Sequence, residues 1–305
     1  MNPKTRAWLL ILLILALCGL ILGGAIWYRS LALSPAAMLK RLPTDDAVVL
    51  YIDFSRLRAG GILQLLNGSK VGEEPEYRSF VRQTDFDYQQ DLDAAVISFA
   101  PKGKYMLLQG RFDWKSLKSY VLGQDGKCNN SFCKLAGSTP EKNISFFPMR
   151  SNLMAMAVSA DDVAALRMNE VDTRPDAEIP NAPIWLSIPP SVVKSGQSLP
   201  PGTQMFARSL ERARAVTLAV LPEGDQFAAN LNVRCASDAD ATALAADLTK
   251  TTGLLREMIE REHQKPNPAD LSGFLTSGAF RSEGARASGY WRISRALIEN
   301  LLGGS

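Results

Sequence analysis

The chain has 305 residues, of which 46% are hydrophobic and 21% charged, and its formal net charge is +3. This is the composition of an ordinary globular protein, and the length allows one large or two small domains. The charges are nearly balanced and form no Lys/Arg run, so nucleic acid is not an expected partner.

The first predicted element is a membrane-spanning helix at residues 7–28, AWLLILLILALCGLILGGAIWY, which carries no charge. At 1.5 Å per residue it would span about 33 Å, enough to cross the hydrocarbon core of a bilayer. Lys4 and Arg6 precede it and no good cleavage site follows it, so we interpret it as an uncleaved signal anchor. This predicts a cytoplasmic tail at 1–6, a linker at 29–41 and a single-pass protein of the cytoplasmic membrane with a periplasmic body.

The lipid bilayer is therefore the first expected partner. Gly19 and Gly23 form a G-x-x-x-G pattern, which lets two membrane helices approach closely and would allow a homodimer through this segment. Glycine is also common in membrane helices without any packing role, and this second interpretation stays open.

The body of the chain contains an internal repeat. Residues 95–112, AVISFAPKGKYMLLQGRF, and 215–234, AVTLAVLPEGDQFAANLNVR, both read as two strands joined at a Pro-x-Gly-x turn. A further strand, AVVLYID or APIWLSI, precedes each pair, and a helical pattern follows it. We predict an α+β fold of two repeated units, 42–170 and 171–305, each with an antiparallel sheet and helices on one face, preceded by one transmembrane helix.

Asp53 ends the strand pattern AVVLYID where a helical pattern begins, a position that suits either a catalytic acid or a helix cap. A short polar residue recurs at this kind of junction, where the first N–H groups of a helix need acceptors. The junction residues are Asp53 with Ser55, Asp113, Ser159, Ser191, Ser237 and Ser294. Because the same residue class repeats, we predict that these residues cap helices and are not catalysts.

One weak enzymatic alternative remains. Ser191 and Lys194 form an S-x-x-K pattern that opens a predicted helix, as in a serine hydrolase or acyl transferase. The single histidine, His263, ends a predicted helix, where a cation suits the helix dipole. The acidic segment 84–93, TDFDYQQDLD, lacks the glycine and the glutamate of a calcium loop, so its aspartates are expected to cap a turn. No metal and no cofactor is expected.

The cysteines fit an oxidising compartment. Cys128 and Cys133 lie in a polar segment, KCNNSFCK, and are predicted to form a disulfide worth about 2 kcal/mol by loop entropy. Cys235 ends a strand and is expected to be a buried thiol. With Cys18 in the predicted anchor and a single histidine, too few soft ligands remain for zinc.

Three segments match a known sequence pattern: LPTDDAVVLYID at 42–53, TDFDYQQDLDAAVISF at 84–99 and GRFDW at 110–114. In these segments the chain resembles an uncharacterised bacterial family of membrane-anchored extracytoplasmic proteins, known as a domain of unknown function. That family often has glycine where this chain has Asp85. The resemblance implies no activity, and no functional residue carries over from it.

These features predict a non-enzymatic binding or scaffolding module of the bacterial envelope, whose partner is another envelope protein. Two alternatives remain. One is the hydrolase or acyl transferase built on Ser191 and Lys194. The other is a carrier of an apolar ligand between sheet and helices, suggested by the Met-rich run LMAMAV at 153–158.

Overall fold

The strands of the described chain pair into one antiparallel sheet. The structure is a computed structural model that describes residues 16–21, 23–24, 34–65, 75–139, 142–170, 178–195, 209–210, 213–224 and 226–303. In these ranges twelve strands form the order β11-β12-β10-β9-β8-β1-β2-β3-β7-β6-β5-β4. The strands are β1 (Val48–Asp53), β2 (Leu92–Ala100), β3 (Gly103–Gly110), β4 (Lys127–Asn129), β5 (Phe132–Leu135), β6 (Asn143–Arg150), β7 (Leu153–Ser159), β8 (Ile184–Ile188), β9 (Ala215–Glu223), β10 (Gln226–Arg234), β11 (Ala279–Glu283) and β12 (Arg286–Ile293).

Short helices connect the strands, and one long helix follows β10. In the described ranges they are α1 (Pro35–Leu39), α2 (Phe54–Ala59), α3 (Ile62–Leu65), α4 (Pro75–Thr84), α5 (Tyr88–Asp91), α6 (Trp114–Gly123), α7 (Ala164–Arg167), α8 (Pro190–Ser195), α9 (Asp238–Arg261), α10 (Leu271–Thr276) and α11 (Arg295–Gly303). Most are too short to be stable alone, so their stability comes from packing on the sheet.

The central strands bury apolar side chains on both faces of the sheet. Val49 and Tyr51 of β1 point to the face that we call the first face, and Ile52 points to the opposite, second face. Tyr51 stacks on Trp185 of β8, with ring centroids 5.5 Å apart, where the two strands pair at the middle of the sheet. Strands that are buried on both faces read as continuous apolar runs, which explains the segment AVVLYID.

The sheet keeps the order of the internal repeat. From the central pair β1–β8, the order outward is β2, β3, β7, β6 on one side and β9, β10, β12, β11 on the other. The first half adds the edge hairpin β4–β5. All pairings are antiparallel. The two copies are therefore halves of one sheet, related about its centre.

The pairing of β1 with β8 joins the two units into one sheet, a point that the sequence left open. The predicted fold class is wrong in two respects. Helices do not lie on one face: α7 packs on the first face and α9 on the second. The preceding transmembrane helix is not supported, because no helix within the described ranges is long and apolar enough to cross a bilayer.

The location inferred from that helix is corrected with it. Of the segment 7–28, only residues 16–21 and 23–24 are described, and 16–21 are helical. A single-pass anchor and the periplasmic body that it implied therefore have no support in the structure. The predicted tail at 1–6 and residues 29–33 of the predicted linker at 29–41 lie outside the described residues, whereas Pro35–Leu39 of that linker form α1.

The predicted disulfide is confirmed. Cys128 of β4 and Cys133 of β5 are bonded and lie opposite each other in the edge hairpin. Cys133 is buried against Phe146 and Leu117, so the disulfide links the edge hairpin β4–β5 to the core. Cys235 is a buried free thiol, and burial raises its pKa.

Candidate functional site

Asp53 caps a helix. Its carboxylate accepts hydrogen bonds from the backbone N–H of Arg56 at 2.8 Å and from the hydroxyl of Ser55 at 2.7 Å. The hydroxyl of Tyr51 lies 3.4 Å from the second carboxylate oxygen. Burial, with the Asp53 charge second, raises the pKa of Tyr51 well above its ordinary value, so the phenol stays protonated and acts as a donor. The carboxylate is thus saturated by local donors.

The other predicted caps divide into two groups. Asp113, Ser237 and Ser294 accept hydrogen bonds from the first N–H groups of α6, α9 and α11. Ser159 does not cap: its hydroxyl donates to the carbonyl of Asp161, and the helix that follows begins without a side-chain cap. Ser191 does not cap α8 either, because it is the second residue of that helix.

The described part of the structure gives no evidence of a contact between Ser191 and Lys194, the predicted catalytic pair. Ser191 is exposed on α8, and the side chain of Lys194 lies outside what is described. The hydrolase alternative therefore stays a prediction without geometric support. Gly19 and Gly23 are exposed, with no atom within 4 Å of the position of an added Cβ, so their helix-packing role also stays a prediction.

His263 ends α9 with a left-handed backbone. Its φ is 55°, its N–H donates to the carbonyl of Glu260 at 3.0 Å, and the N–H of Gln264 donates to the carbonyl of Ile259 at 3.2 Å. These two bonds form the Schellman motif, which terminates helices. The histidine therefore occupies a position set by the backbone.

The acidic segment 84–93 forms a small capping network. Asp87 accepts from the hydroxyl of Tyr77 and from the N–H of Gln89, both at 3.0 Å. Asp91 accepts from the N–H of Asp87 at 2.9 Å and pairs with Arg111 at 2.8 Å. Across the described ranges no group of three or more His, Cys, Asp or Glu side chains is arranged to hold a metal ion.

A cleft forms where the two halves of the sheet differ. On the first face of the first half, the residues facing inward on successive strands are Val96, Leu107 and Ala155, and all are fully buried. The corresponding residues of the second half, counted outward from the central pair, are Ala219, Asn230 and Tyr290. The apolar first-face residues of the first half must be covered by other parts of the protein, whereas the polar first-face residues of the second half can be exposed to water.

The connecting helices follow the same difference. After β7 the chain packs Ala164, Ala165 and Met168 onto the first face. After β12 the corresponding helix, α11, instead packs Ile298 onto the second face. No described helix after β12 covers the first face of the second half, and Asn230 is exposed there.

We call the resulting hollow the central cleft. Its floor is a row of polar side chains that lie directly opposite one another on adjacent strands: Ser187, Thr217, Asn232 and Ser288. The cleft has two parts, of about 350 Å³ and about 370 Å³, which share Ser187, Thr217 and the segment Glu178–Pro180. Each part lies at the low end of the size range of small-ligand sites.

The first part of the cleft is mainly apolar. Leu39 of α1, Val49 of β1 and Ile179 wall it, and Trp185 lies at its base. Trp185 is only 2% exposed, and its indole N–H has no acceptor in the part of the chain that the structure describes. A buried donor without a partner costs about 1–3 kcal/mol, so this ring is an unusual feature of the site.

The second part of the cleft is polar and cationic at one end. Asn230 and Asn232 line it together with Arg234, and all three are exposed. Arg214 lines the adjacent end of the apolar part, and its backbone N–H donates to the carbonyl of Arg234 at 2.8 Å. The two guanidinium groups thus belong to neighbouring strand ends. Guanidinium groups recognise carboxylate and phosphate oxygens through paired hydrogen bonds.

The segment 178–182, which we call the strap, lies between the two parts of the central cleft. Its first residue binds Arg286 of β12 through two hydrogen bonds of 2.8 and 3.1 Å. Those hydrogen bonds and the Arg286 charge lower the pKa of Glu178. At the other end Asn181 accepts from Arg56 at 3.2 Å, and Ile179 packs against the core of the first face. The strap is therefore held at both ends.

Sequence reasoning missed this cleft. The signal was available in the repeat: β10, QFAANLNVR, alternates Asn230 and Asn232 with apolar residues, whereas its counterpart β3, GKYMLLQG, does not. The Met-rich run 153–158, which suggested an apolar carrier, is core instead, because Met154 packs with Phe146 and its alternate residues pack on the first face.

The fold has been seen before at low sequence identity. The chain is similar to the structure of TP0453 in crystal form III, with 10% identity and a TM-score of 0.52 over 88% of this chain and 98% of that one. TP0453 in crystal form I gives 12% identity and a TM-score of 0.48 over 89% and 98% of the two chains. No family model and no curated protein matches the sequence. At this identity the likeness shows the fold alone.

Proposed function

We propose that the protein is a binding module that holds a small amphipathic anion in the central cleft. The observation that carries this proposal is the composition of the cleft, in which an apolar wall joins a polar floor that ends at two arginines. An apolar ligand body would fill the part beside Leu39 and Trp185. Its acidic head group would lie over Thr217 and Asn232, towards Arg214 and Arg234.

The charges at the polar end favour an acidic head over a neutral one. Glu178 is the one carboxylate among the residues that line the two parts of the cleft, and it is already paired with Arg286. Neither Arg214 nor Arg234 forms an ion pair with any residue of the described ranges. A ligand carboxylate would therefore find donors that the protein leaves available.

This proposal develops the expectation of an apolar-ligand carrier but places the ligand elsewhere. The site lies on the first face of the second half of the sheet, between the strap, α1 and the strands β8 to β10, and not at the Met-rich run 153–158. The floor hydroxyls and amides add hydrogen-bonding groups that a purely apolar ligand would leave unpaired, which is unfavourable.

Titration calorimetry with decanoate and decanol tests the proposal, because the two probes share an apolar chain and differ in charge. We expect decanoate to bind at least about tenfold more tightly, since a charge-assisted hydrogen bond contributes roughly 1.5–3 kcal/mol. Arg234→Gln should remove the preference, whereas Arg261→Gln, at the distant end of α9, should preserve it.

Thr217→Leu is the second test, since a larger apolar side chain on the cleft floor should block both probes without changing the charge. Equal binding of the two probes would refute the acidic-head assignment. Decanoate binding that survives Thr217→Leu would place the ligand outside the central cleft and overturn the proposal.

A further inference from the structure

A second concave surface lies at one end of the first half of the sheet and meets the central cleft at Lys40, which lines both. It has a volume of about 1090 Å³ and lies between the segment after α1, the β2–β3 turn and the segment that joins β7 to α7. We call it the basic groove. The cationic residues that line it are Lys40, Arg41, Lys102, Lys104, Lys142 and Arg167, and the ammonium group of Lys104 lies 5.9 Å from the centre of the Phe99 ring.

The basic groove concentrates the positive charge of the protein. Against its six cations stand two carboxylates, Asp161 and Glu170, so its formal charge is +4. The whole chain carries +3, and therefore all other residues together carry −1. Asp161 is already engaged with Arg167 at 3.0 Å, so the exposed lysines Lys102, Lys104 and Lys142 carry most of the remaining charge.

The fold fixes the lysines at the rim. Gly103 separates Lys102 from Lys104 in the β2–β3 turn, and a Cβ there would lie 2.6 Å from both the Cβ of Ser159 and the carbonyl oxygen of Val158. The turn can pack this closely on β7 only because residue 103 has no side chain. Lys102, Lys104 and Lys142 are all exposed.

Apolar residues also line the groove. Pro43 and Tyr105 are partly exposed there, whereas Leu42 and Met168 are each only 2% exposed. Arg41 donates to the carbonyl of Asn169 at 2.9 Å, so both arginines of the groove are held by protein groups. The groove therefore offers point charges on flexible stems and apolar contacts, and lacks a free guanidinium fork for phosphate.

We propose that the basic groove binds an extended acidic segment of a partner polypeptide. A chain that alternates carboxylate and apolar side chains satisfies both components of the lining. A flat anionic membrane would reach the rim lysines but not the concave floor. A single-stranded nucleic acid would need exposed aromatic platforms, and Tyr105, the one aromatic residue of the lining, is half-buried.

Fluorescence anisotropy with a labelled peptide of Asp, Glu, Leu and Ser tests this assignment. The triple variant Lys102→Gln/Lys104→Gln/Lys142→Gln should bind about tenfold more weakly, since each exposed ion pair contributes about a twofold to threefold factor in affinity. The matched control Lys115→Gln/Lys118→Gln/Lys250→Gln removes the same charge from exposed sites on α6 and α9 and should leave binding unchanged. Added salt should weaken binding to the unmodified protein.

Polyphosphate and vesicles of phosphatidylglycerol with phosphatidylcholine distinguish the other anions. The expected result is that neither competes with the peptide as effectively as unlabelled peptide does. If either binds more tightly than the peptide and loses affinity in the triple variant, the polypeptide assignment is overturned. Absence of peptide binding, or an equal loss in the control variant, overturns the site itself.

Discussion

Replacing His263 tests whether the only histidine serves the backbone. A left-handed backbone costs an ordinary residue about 1–2 kcal/mol, whereas glycine adopts it freely. His263 has φ of 55° and is exposed, so glycine loses little else there. After allowance for the larger entropy of an unfolded glycine, His263→Gly should stabilise the protein by about 1 kcal/mol. In a chain of this size, that raises the Tm by about 2 °C.

Three variants separate the backbone conformation from the imidazole side chain. His263→Gly, His263→Asn and His263→Val all remove the imidazole, so differences among them report the left-handed conformation together with the smaller entropy differences of the unfolded chains. We expect the order Gly, then Asn, then Val, with Val the least stable because a β-branched residue strongly disfavours this conformation. Urea unfolding monitored by circular dichroism measures the series.

A glycine one turn earlier in the same helix is the control. Glu260→Gly should destabilise by about 1 kcal/mol, because residue 260 has ordinary helical geometry. If His263→Gly and His263→Val have the same free energy of unfolding, the helix does not end in the Schellman motif, and the structural role assigned to the histidine is wrong.

Two further predictions concern the edge hairpin and the strap. Replacing both Cys128 and Cys133 with alanine should cost about 2 kcal/mol, because a short covalent loop is removed from the unfolded chain; unchanged thermal unfolding would contradict this. The pKa of Glu178 is lowered from its ordinary value of 4.5. Its pairing with Arg286 therefore stabilises the strap fully above pH 4.5, and this stabilisation is lost as the pH falls through the lowered pKa. The hydrogen-exchange protection factors of residues 178–182, which correct for the slower intrinsic exchange in acid, should therefore fall as the pH is lowered, and Glu178→Gln should remove that dependence.

Much of the fold could be predicted from local patterns. The two Pro-x-Gly-x turns mark real hairpins, because turn chemistry acts within four residues. Asp53, Asp113 and Ser237 cap helices, as the strand-to-helix junctions predicted. Each of these features depends on neighbours in the chain, which the sequence shows directly.

The sequence could not settle the points that depend on distant parts of the chain. The pairing of β1 with β8 joins residues more than a hundred positions apart, and no local pattern distinguishes one continuous sheet from two. Ser191 illustrates the same problem at shorter range: the preceding residues Pro189 and Pro190 begin the helix earlier than the serine suggested. The central cleft was missed because it depends on what covers the sheet, which is a tertiary property.

The difference between the two repeats links the fold to its proposed function. In the first half, Leu107 and Ala155 are fully buried on the first face, and α7 packs over that face. In the second half, Asn230 and Tyr290 occupy the positions that match Leu107 and Ala155, so this face does not need a cover. The helix that matches α7, which is α11, packs on the second face instead. A duplicated sheet can thus keep one copy as a stable core while the other exposes a shaped surface. The same local change therefore explains both the open floor of the central cleft and the position of the helix that does not cover it.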